Sequence, residues 1–300
     1  MKAMILAAGL GSRLRPLTYK RPKALMPIAN RPILAWNIDY LKIQGATDII
    51  INAHHHHEQV VNYVRENPLS GVKIETKVEL EILGTGGGIK NVEDFFSPEP
   101  FVVMNADILT NIDLKTALHD HRSRGAFVTL LLHKFERYNQ LLVDKNLNII
   151  DIGKTASPGR LAFTGIHIMN QELLSFLPAG EFSDIIDCYR KLIRDGKPIN
   201  AYVCQNHYWR DAGSLTDYTE ANMDFARTPF LIGSGCRIHS SVRLYDWAII
   251  GDGCRIEEDA SIRRSVLWEK VEIKKGVHIT DSVVTSGTTV ARHLAKEIST

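Results

Sequence analysis

The sequence predicts an α/β protein: a mostly parallel sheet with helices on both faces, followed by a short parallel β-helix. Three observations predict it. Up to about Arg227, short apolar runs alternate with amphipathic segments. From Leu231 onward, aliphatic residues recur every six positions. No apolar run approaches the roughly 20 residues needed to span a bilayer.

The elements follow in order. Ala3–Ala8 reads as a first buried strand. A strand is expected there rather than a secretory leader, because the apolar run stops at Gly9 and a basic segment follows without a typical cleavage region. Pro32 stands where a helix tolerates proline and Gly45 where helices stop, which frames a helix over Ile33–Gln44. Strands over Asp48–Asn52, Val72–Val78, Phe101–Asn105 and Phe127–Leu132 then alternate with helices over Glu58–Glu66, Gly87–Phe95 and Leu114–Ser123. In such sheets ligands bind beyond the carboxyl ends of the strands, which directs attention to the loops after Ala8 and after Asn105.

The repeat is carried by Ile232, Ile238, Leu244, Ile250, Ile256 and Ile262, and after one step of five by Leu267, Ile273 and Ile279. Four places after each lies a small or β-branched residue: Cys236, Val242, Ala248, Cys254, Ala260, Val266, Val271, Val277 and Val283. The segment resembles the left-handed β-helix of hexapeptide-repeat proteins, in which residues eighteen apart stack in successive coils. Cys236 and Cys254 are so related, and their parallel side-chain directions oppose a disulfide, so two free, buried thiols are expected. The chain thus divides into 1–227, a β-helix at 228–290, and a tail at 291–300 where the pattern breaks and a short helix or a mobile end is expected.

Composition bounds the function. With 300 residues, 44% hydrophobic and 23% charged, the chain is an ordinary globular protein. A net charge of +2 supplies no basic field for nucleic acid. Four cysteines without a CxxC pair point to a reducing compartment, no zinc site and a cytoplasmic protein with no membrane partner.

The chemistry is concentrated in the first 227 residues. After the first strand comes Gly9-Leu10-Gly11-Ser12-Arg13-Leu14-Arg15, whose glycines permit close backbone approach and whose arginines suit phosphate. It is not a Walker A loop, lacking Gly-Lys-Ser/Thr. Nor is it a dinucleotide fingerprint, since Leu14 stands where the third glycine belongs and no acid ends the second strand. Next, in Arg21-Pro22-Lys23-Ala24-Leu25-Met26-Pro27, prolines stiffen the backbone that carries Lys23.

With both segments in view, the sequence resembles the sugar-1-phosphate nucleotidyltransferase family over residues 1–227. The resemblance continues at Leu83-Gly84-Thr85-Gly86-Gly87-Gly88 (base loop), Asn105-Ala106-Asp107 (metal turn), Phe163-Thr164-Gly165-Ile166 (sugar strand) and Trp209-Arg210-Asp211-Ala212-Gly213 (second metal aspartate). It implies a Rossmann-like catalytic domain that joins a nucleoside triphosphate and a sugar-1-phosphate and releases pyrophosphate. The resemblance further implies that Arg13, with the Gly11 and Ser12 amides, holds the departing pyrophosphate. Lys23 would neutralise the α-phosphate, and Asp107 and Asp211 would hold magnesium. Ala8, Gly9, Gly86 and Gly87 would make room for the base, and Gly165, with Thr164 beside it, would admit the sugar. Lys154 would reach the sugar phosphate, although the Val-Glu-Lys-Pro-like segment of many relatives is replaced here by Ile152-Gly153-Lys154. Features of uridylyl- and guanylyltransferases are mixed, so UTP and GTP both stand.

Bland readings accompany these. Asp211 could cap a helix starting near Ser214, and Gly86 and Gly87 could merely open one. His54–His57, between a strand and a helix, reads as a solvated helix start rather than a metal site. Trp209 reads as packing. Two rival functions are a regulatory subunit, which would be expected to lack Arg13, Lys23, Asp107 or Asp211, and a hexapeptide acyltransferase using His239 or His278. The short β-helix is expected to dock on the first domain or on another subunit, giving a homo-oligomer.

Overall fold

The computed structural model describes residues 1–300. The chain forms two compact units, Met1–Leu10 with Trp36–Trp209, and Gly11–Ala35 with Arg210–Thr300. This division does not coincide with the change of sequence character near residue 228. Residues 11–35 and 210–227 fold with the repeat.

The first unit is built on a nine-stranded sheet. Its order begins Ile149–Ile152, Asn139–Val143, Leu161–Met169, Phe101–Asn105, Lys2–Leu6, Asp48–Ala53, Lys73–Val78, while Val128–His133 pairs with both Leu161–Met169 and Asn200–Val203. Lys2–Leu6 runs parallel to Asp48–Ala53 and to Phe101–Asn105, and Leu161–Met169 is antiparallel to its neighbours. The central strands are apolar on both faces: all of Val128–His133 is buried, as expected for strands covered on each side. The edge strand Lys73–Val78 is instead charged and partly exposed, which discourages pairing with another chain.

Helices α1 (Ile33–Ile43), α2 (His57–Glu66), α3 (Gly84–Lys90), α4 (Leu114–Ser123), α5 (Ile185–Arg194) and α6 (Leu215–Phe225) follow in order. The expected helix over Gly87–Phe95 lies differently: α3 covers Gly84–Lys90 and a separate 3-10 turn covers Glu93–Phe95. Its glycine run is helical because the Gly86 and Gly87 amides both reach Ser183 O, at 2.8 and 3.3 Å. Tertiary contact overrides the poor helix propensity of glycine, about 1 kcal/mol per residue. The four histidines do form a helix start. His56 caps α2 in the left-handed region at φ 51°, and His57 Nδ1 lies 3.1 Å from His54 O.

In the second unit the repeat forms a parallel β-helix. Register partners are eighteen apart at Arg237↔Arg255 and Arg243↔Ser261, then seventeen apart at Arg255↔Glu272 and Val266↔Val283. The change follows the single step of five. The repeat aliphatics line its interior: Ile250, Ile256, Ile262, Leu267, Ile273 and Ile279 are all buried. Ile232, in the first turn, remains exposed. Cys254 is buried and Cys236 only partly so, both as free thiols. On the outside, Arg264 bridges Asp246 and Asp281, with nitrogen–oxygen distances of 2.6 Å to each.

The tail departs from expectation. Leu294–Ala295 pairs with Ile279–Thr280, and Ile298–Ser299 with Val283–Val284, so the ladder continues to the end instead of forming a helix. Partners here are fifteen apart. A shortened coil breaks the six-residue period while leaving backbone pairing intact.

Candidate active site

In the second unit, the segment after Leu10 folds tightly on itself. Gly11 has φ +62°, and an added Cβ would lie 2.9 Å from Thr18 Cγ2, so both conformation and space require glycine. Thr18 Oγ1 donates to Gly11 O at 2.9 Å, and Leu14 N donates to the same carbonyl at 3.0 Å. Buried Leu14, Leu17 and Thr18 anchor the loop, leaving Ser12, Arg13 and Arg15 at the surface. Pro22, at φ −65° and ψ 147°, leads into the 3-10 turn Lys23–Leu25, whose Ala24 and Leu25 are buried.

Lys23 Nζ lies 3.8 Å from Asp211 Oδ1, and both side chains are mostly shielded, with 15% and 14% exposed. Gly213 brings Arg13 into the same cluster. A Cβ there would meet Asp211 Oδ1 at 2.6 Å and Arg13 Nη2 at 3.0 Å. Asp211 is not the cap of α6. That place belongs to Ser214, whose Oγ accepts from Asp217 N at 3.1 Å. The second unit therefore gathers Gly11, Ser12, Arg13, Lys23 and Asp211: a backbone loop, two cations and a carboxylate.

In the first unit, Ala7 N donates to Asn52 Oδ1 at 2.8 Å, and Asn52 Nδ2 donates to Glu79 Oε1 at 2.7 Å. Glu79 Oε2 in turn accepts from Leu83 N at 3.2 Å. This chain of hydrogen bonds ties Ala7, which precedes Ala8 and Gly9, to the start of α3. Gly9 is exposed, and a Cβ there would meet nothing within 4 Å. Gly86 and Gly87 serve differently from expectation. Their Cβ positions are filled by protein, 2.7 Å from Ser183 Oγ and 2.5 Å from Glu181 O, so these glycines admit the irregular segment that leads into α5.

Asp107 follows Ala106, whose amide donates to Leu6 O at 3.0 Å and whose carbonyl accepts from Asn37 Nδ2 at 2.8 Å. The turn is thus held on both sides, and alanine in place of glycine fits there, buried. Gly165 has φ +78°, and a Cβ would crowd Asn105 Nδ2 and Ile108 Cγ1, each at 3.0 Å. Backbone conformation and packing explain this glycine before any ligand does. Thr164 is fully buried, and its hydroxyl donates to Leu131 O at 2.8 Å, so its side chain is not presented to a ligand. Lys154 is exposed on a loop where Arg160 Nη1 donates to Gln140 O at 2.8 Å and Arg190 Nε to Ile152 O at 3.1 Å. Trp209 is packed against His133, Phe135 and Tyr138, with its Nε1 donating to Thr164 O at 2.8 Å. Burial, with His207 nearby, pushes the His133 imidazole down to about 4.

Comparison with known proteins decides the family. The nucleotidyl transferase profile matches residues 2–228, and a profile described as GlmU-like, C-terminal hexapeptide matches residues 226–296. The chain belongs to the nucleotidyl transferase family. Among its relatives is the UTP–glucose-1-phosphate uridylyltransferase of Synechocystis sp., 30% identical, with 95% of this chain and 87% of that protein covered. Mannose-1-phosphate guanylyltransferase 1 of Arabidopsis thaliana is 28% identical, covering 98% and 83%. Among solved structures, HddC from Yersinia pseudotuberculosis complexed with GMP-PN superposes with a TM-score of 0.65 at 24% identity, covering 75% of this chain and 99% of that one. At that identity the likeness speaks for the fold.

Within this member of the family, the expected residues fall into two sets. Gly11, Ser12, Arg13, Lys23 and Asp211 lie in the second unit, and Ala8, Gly9, Gly86, Gly87, Asp107, Lys154, Thr164 and Gly165 in the first. Sequence reasoning missed Asn52 and Glu79. The available signal was a polar residue at the end of a buried strand, followed by an acid at the end of the next.

Proposed function

We propose that the protein is a sugar-1-phosphate nucleotidyltransferase that uses UTP or GTP, with residues 1–227 as its catalytic domain. The observation that carries this reading is the gathering of Arg13 and Asp211 beside Gly213, with Lys23 against Asp211, next to a folded glycine loop. That arrangement can bind polyphosphate and neutralise charge, which is most of what phosphoryl transfer asks of a protein. The family membership and the activities for which the relatives are named support it further.

In this reading the oxygen of the sugar-1-phosphate attacks the α-phosphorus and pyrophosphate leaves. Arg13 and the loop amides hold the leaving group, and Lys23 offsets charge at the α-phosphoryl group. Asp107 and Asp211 are hard oxygen donors of the type magnesium takes, and no cluster of three or more acidic, histidine or cysteine side chains competes as a preformed site. One or two carboxylates completed by substrate phosphates and water suit this ion. Magnesium, when bound, would add Lewis-acid stabilisation at the transferring phosphoryl group. No covalent nucleophile is needed.

The test is a pyrophosphate-release screen of the nucleoside triphosphates against sugar-1-phosphates, with and without magnesium. Turnover of a sugar-1-phosphate with UTP or GTP is expected. Absence of turnover across the panel, or acyl transfer from acetyl-CoA instead, overturns the reading.

A further inference from the structure

The β-helix does more in the second unit than extend the chain. Its turn at Trp268–Glu269 reaches the segment that carries Lys23. The Arg21 guanidinium pairs with the Glu269 carboxylate, donates from Nη2 to Ser286 Oγ at 3.1 Å, and lies over the Trp268 ring with 4.7 Å to the centroid. Trp268 is 3% exposed, and its indole Nε1 donates to Tyr218 OH at 2.9 Å. Tyr218 OH donates to Pro27 O at 2.7 Å. Two further bonds hold the same segment: Asn30 Nδ2 to Ile250 O at 2.7 Å and Ala29 N to Asn222 Oδ1 at 2.9 Å.

These contacts bracket Lys23. Arg21 stands two residues before it with rigid Pro22 between, and Pro27 stands four residues after. Tyr218 is the fourth residue of α6, seven positions after Asp211 and four after Ser214, the cap of that helix. One turn of the β-helix therefore touches the chain before Lys23 through Arg21, and reaches the chain after it through Tyr218 of the helix that follows Asp211. An isolated exposed ion pair would contribute little. This pair is partly buried, stacked on an indole, and continued by two hydrogen bonds through a fully buried tyrosine.

We propose that Trp268 and Glu269 are positioning residues for the nucleotidyl transfer reaction, holding Lys23 and Asp211 in register through Arg21 and Tyr218. The proposal rests on the roles assigned above to Lys23 and Asp211. Its chemical basis is the steep dependence of phosphoryl transfer on placement: a shift of about 1 Å in a charged group can cost roughly 100-fold. Neither Trp268 nor Glu269 touches substrate in this scheme. They act on where the ammonium and carboxylate stand.

The test uses full-length variants: Glu269→Gln, Arg21→Ala, Trp268→Phe, the reciprocal exchange Arg21→Glu with Glu269→Arg, and Lys23→Ala alone and combined with Glu269→Gln. Pyrophosphate release gives kcat and KM for each substrate, and thermal melting reports folding. Glu269→Gln and Arg21→Ala are expected to lower kcat about tenfold or more with KM little changed. Trp268→Phe keeps a ring beneath Arg21 but loses the bond to Tyr218, and should fall between them and the unaltered protein. The reciprocal exchange should recover part of the lost kcat. In the Lys23→Ala background, Glu269→Gln should add little, because two changes acting through one group are not additive. Full kcat in Glu269→Gln and Arg21→Ala overturns the proposal. So does a loss of activity that only tracks the melting curve, or full additivity with Lys23→Ala. If Lys23→Ala is itself fully active, the assigned role of Lys23 fails first; if it is impaired while Glu269→Gln is normal, positioning alone fails.

Discussion

At Gly213 a single methyl group would stand 2.6 Å from Asp211 Oδ1 and 3.0 Å from Arg13 Nη2. Gly213→Ala should therefore displace the carboxylate and lower turnover by roughly 10- to 100-fold, with a small change in melting temperature, because the clash falls on side-chain ends. Asp107→Asn and Asp211→Asn should each cost at least ~100-fold in kcat, with near-normal folding by circular dichroism. Arg13→Ala is expected to weaken nucleoside triphosphate use and pyrophosphorolysis, whereas Lys23→Ala should depress kcat more than substrate affinity. Steady-state kinetics in both directions separates them, and unchanged pyrophosphorolysis in Arg13→Ala would remove its leaving-group role. Arg13 and Lys23 stand out in the sequence because charged side chains lie among glycines and prolines, and the structure brings both near Asp211 and Gly213. The glycines were less legible. A sequence says that a side chain is excluded at Gly86, Gly87 and Gly165, but not whether a ligand or the protein fills the space, and here segment 181–183, Asn105 and Ile108 fill it.

Strands and helices were read mainly from apolar periodicity, and the buried strands emerged within a residue or two because burial on both faces leaves an unbroken apolar run. The strand Leu161–Met169 was only partly legible, since its antiparallel course depends on partners far away in sequence. The same strand carries a pH dependence. His167 is buried with its Nδ1 2.6 Å from Tyr189 OH, and burial pushes its imidazole down to about 3. In the unfolded chain a histidine titrates near ~6.5, so between there and about 3 the unfolded state takes up a proton that the native imidazole refuses. Stability should thus be lost as pH falls below about 6.5 and on towards 3, by up to ~1.4 kcal/mol per pH unit for this one group. Equilibrium urea unfolding at pH 7 and pH 5 should show the loss, and His167→Gln should reduce the pH slope even if it lowers stability at both. An unaltered slope in the variant would move the origin of acid sensitivity elsewhere, His133 being the next buried imidazole to examine.

For the whole molecule, the repeat was legible as a β-helix from its six-residue period, but its tie to residues 11–35 and 210–227 was not. Arg21, Trp268 and Glu269 are 247 and 248 positions apart (268 − 21 and 269 − 21) and share no motif. Removing everything after Arg227 would take away Trp268 and Glu269, leaving Tyr218 and Arg21 without those partners. The truncated chain should melt several degrees lower and lose activity, and size-exclusion chromatography would show whether assembly also changes; an unchanged melting temperature would mark the repeat as an independent appendage. The double change Cys236→Ala with Cys254→Ala should instead retain activity, since these thiols serve as small filling residues. The discontinuous second unit also imposes a timetable on synthesis. Its first part, residues 11–35, leaves the ribosome long before its last, and at roughly 5–20 residues per second that interval is on the order of ten to fifty seconds. During it the lysine-bearing segment has no Glu269 to meet. Nascent chains arrested before residue 268 should be cut faster by trypsin at Lys20 than released full-length chains, in which Lys20 is exposed but its neighbour Arg21 is held by Glu269, so a late-translated turn acts as the latch that closes one of the first loops to be made.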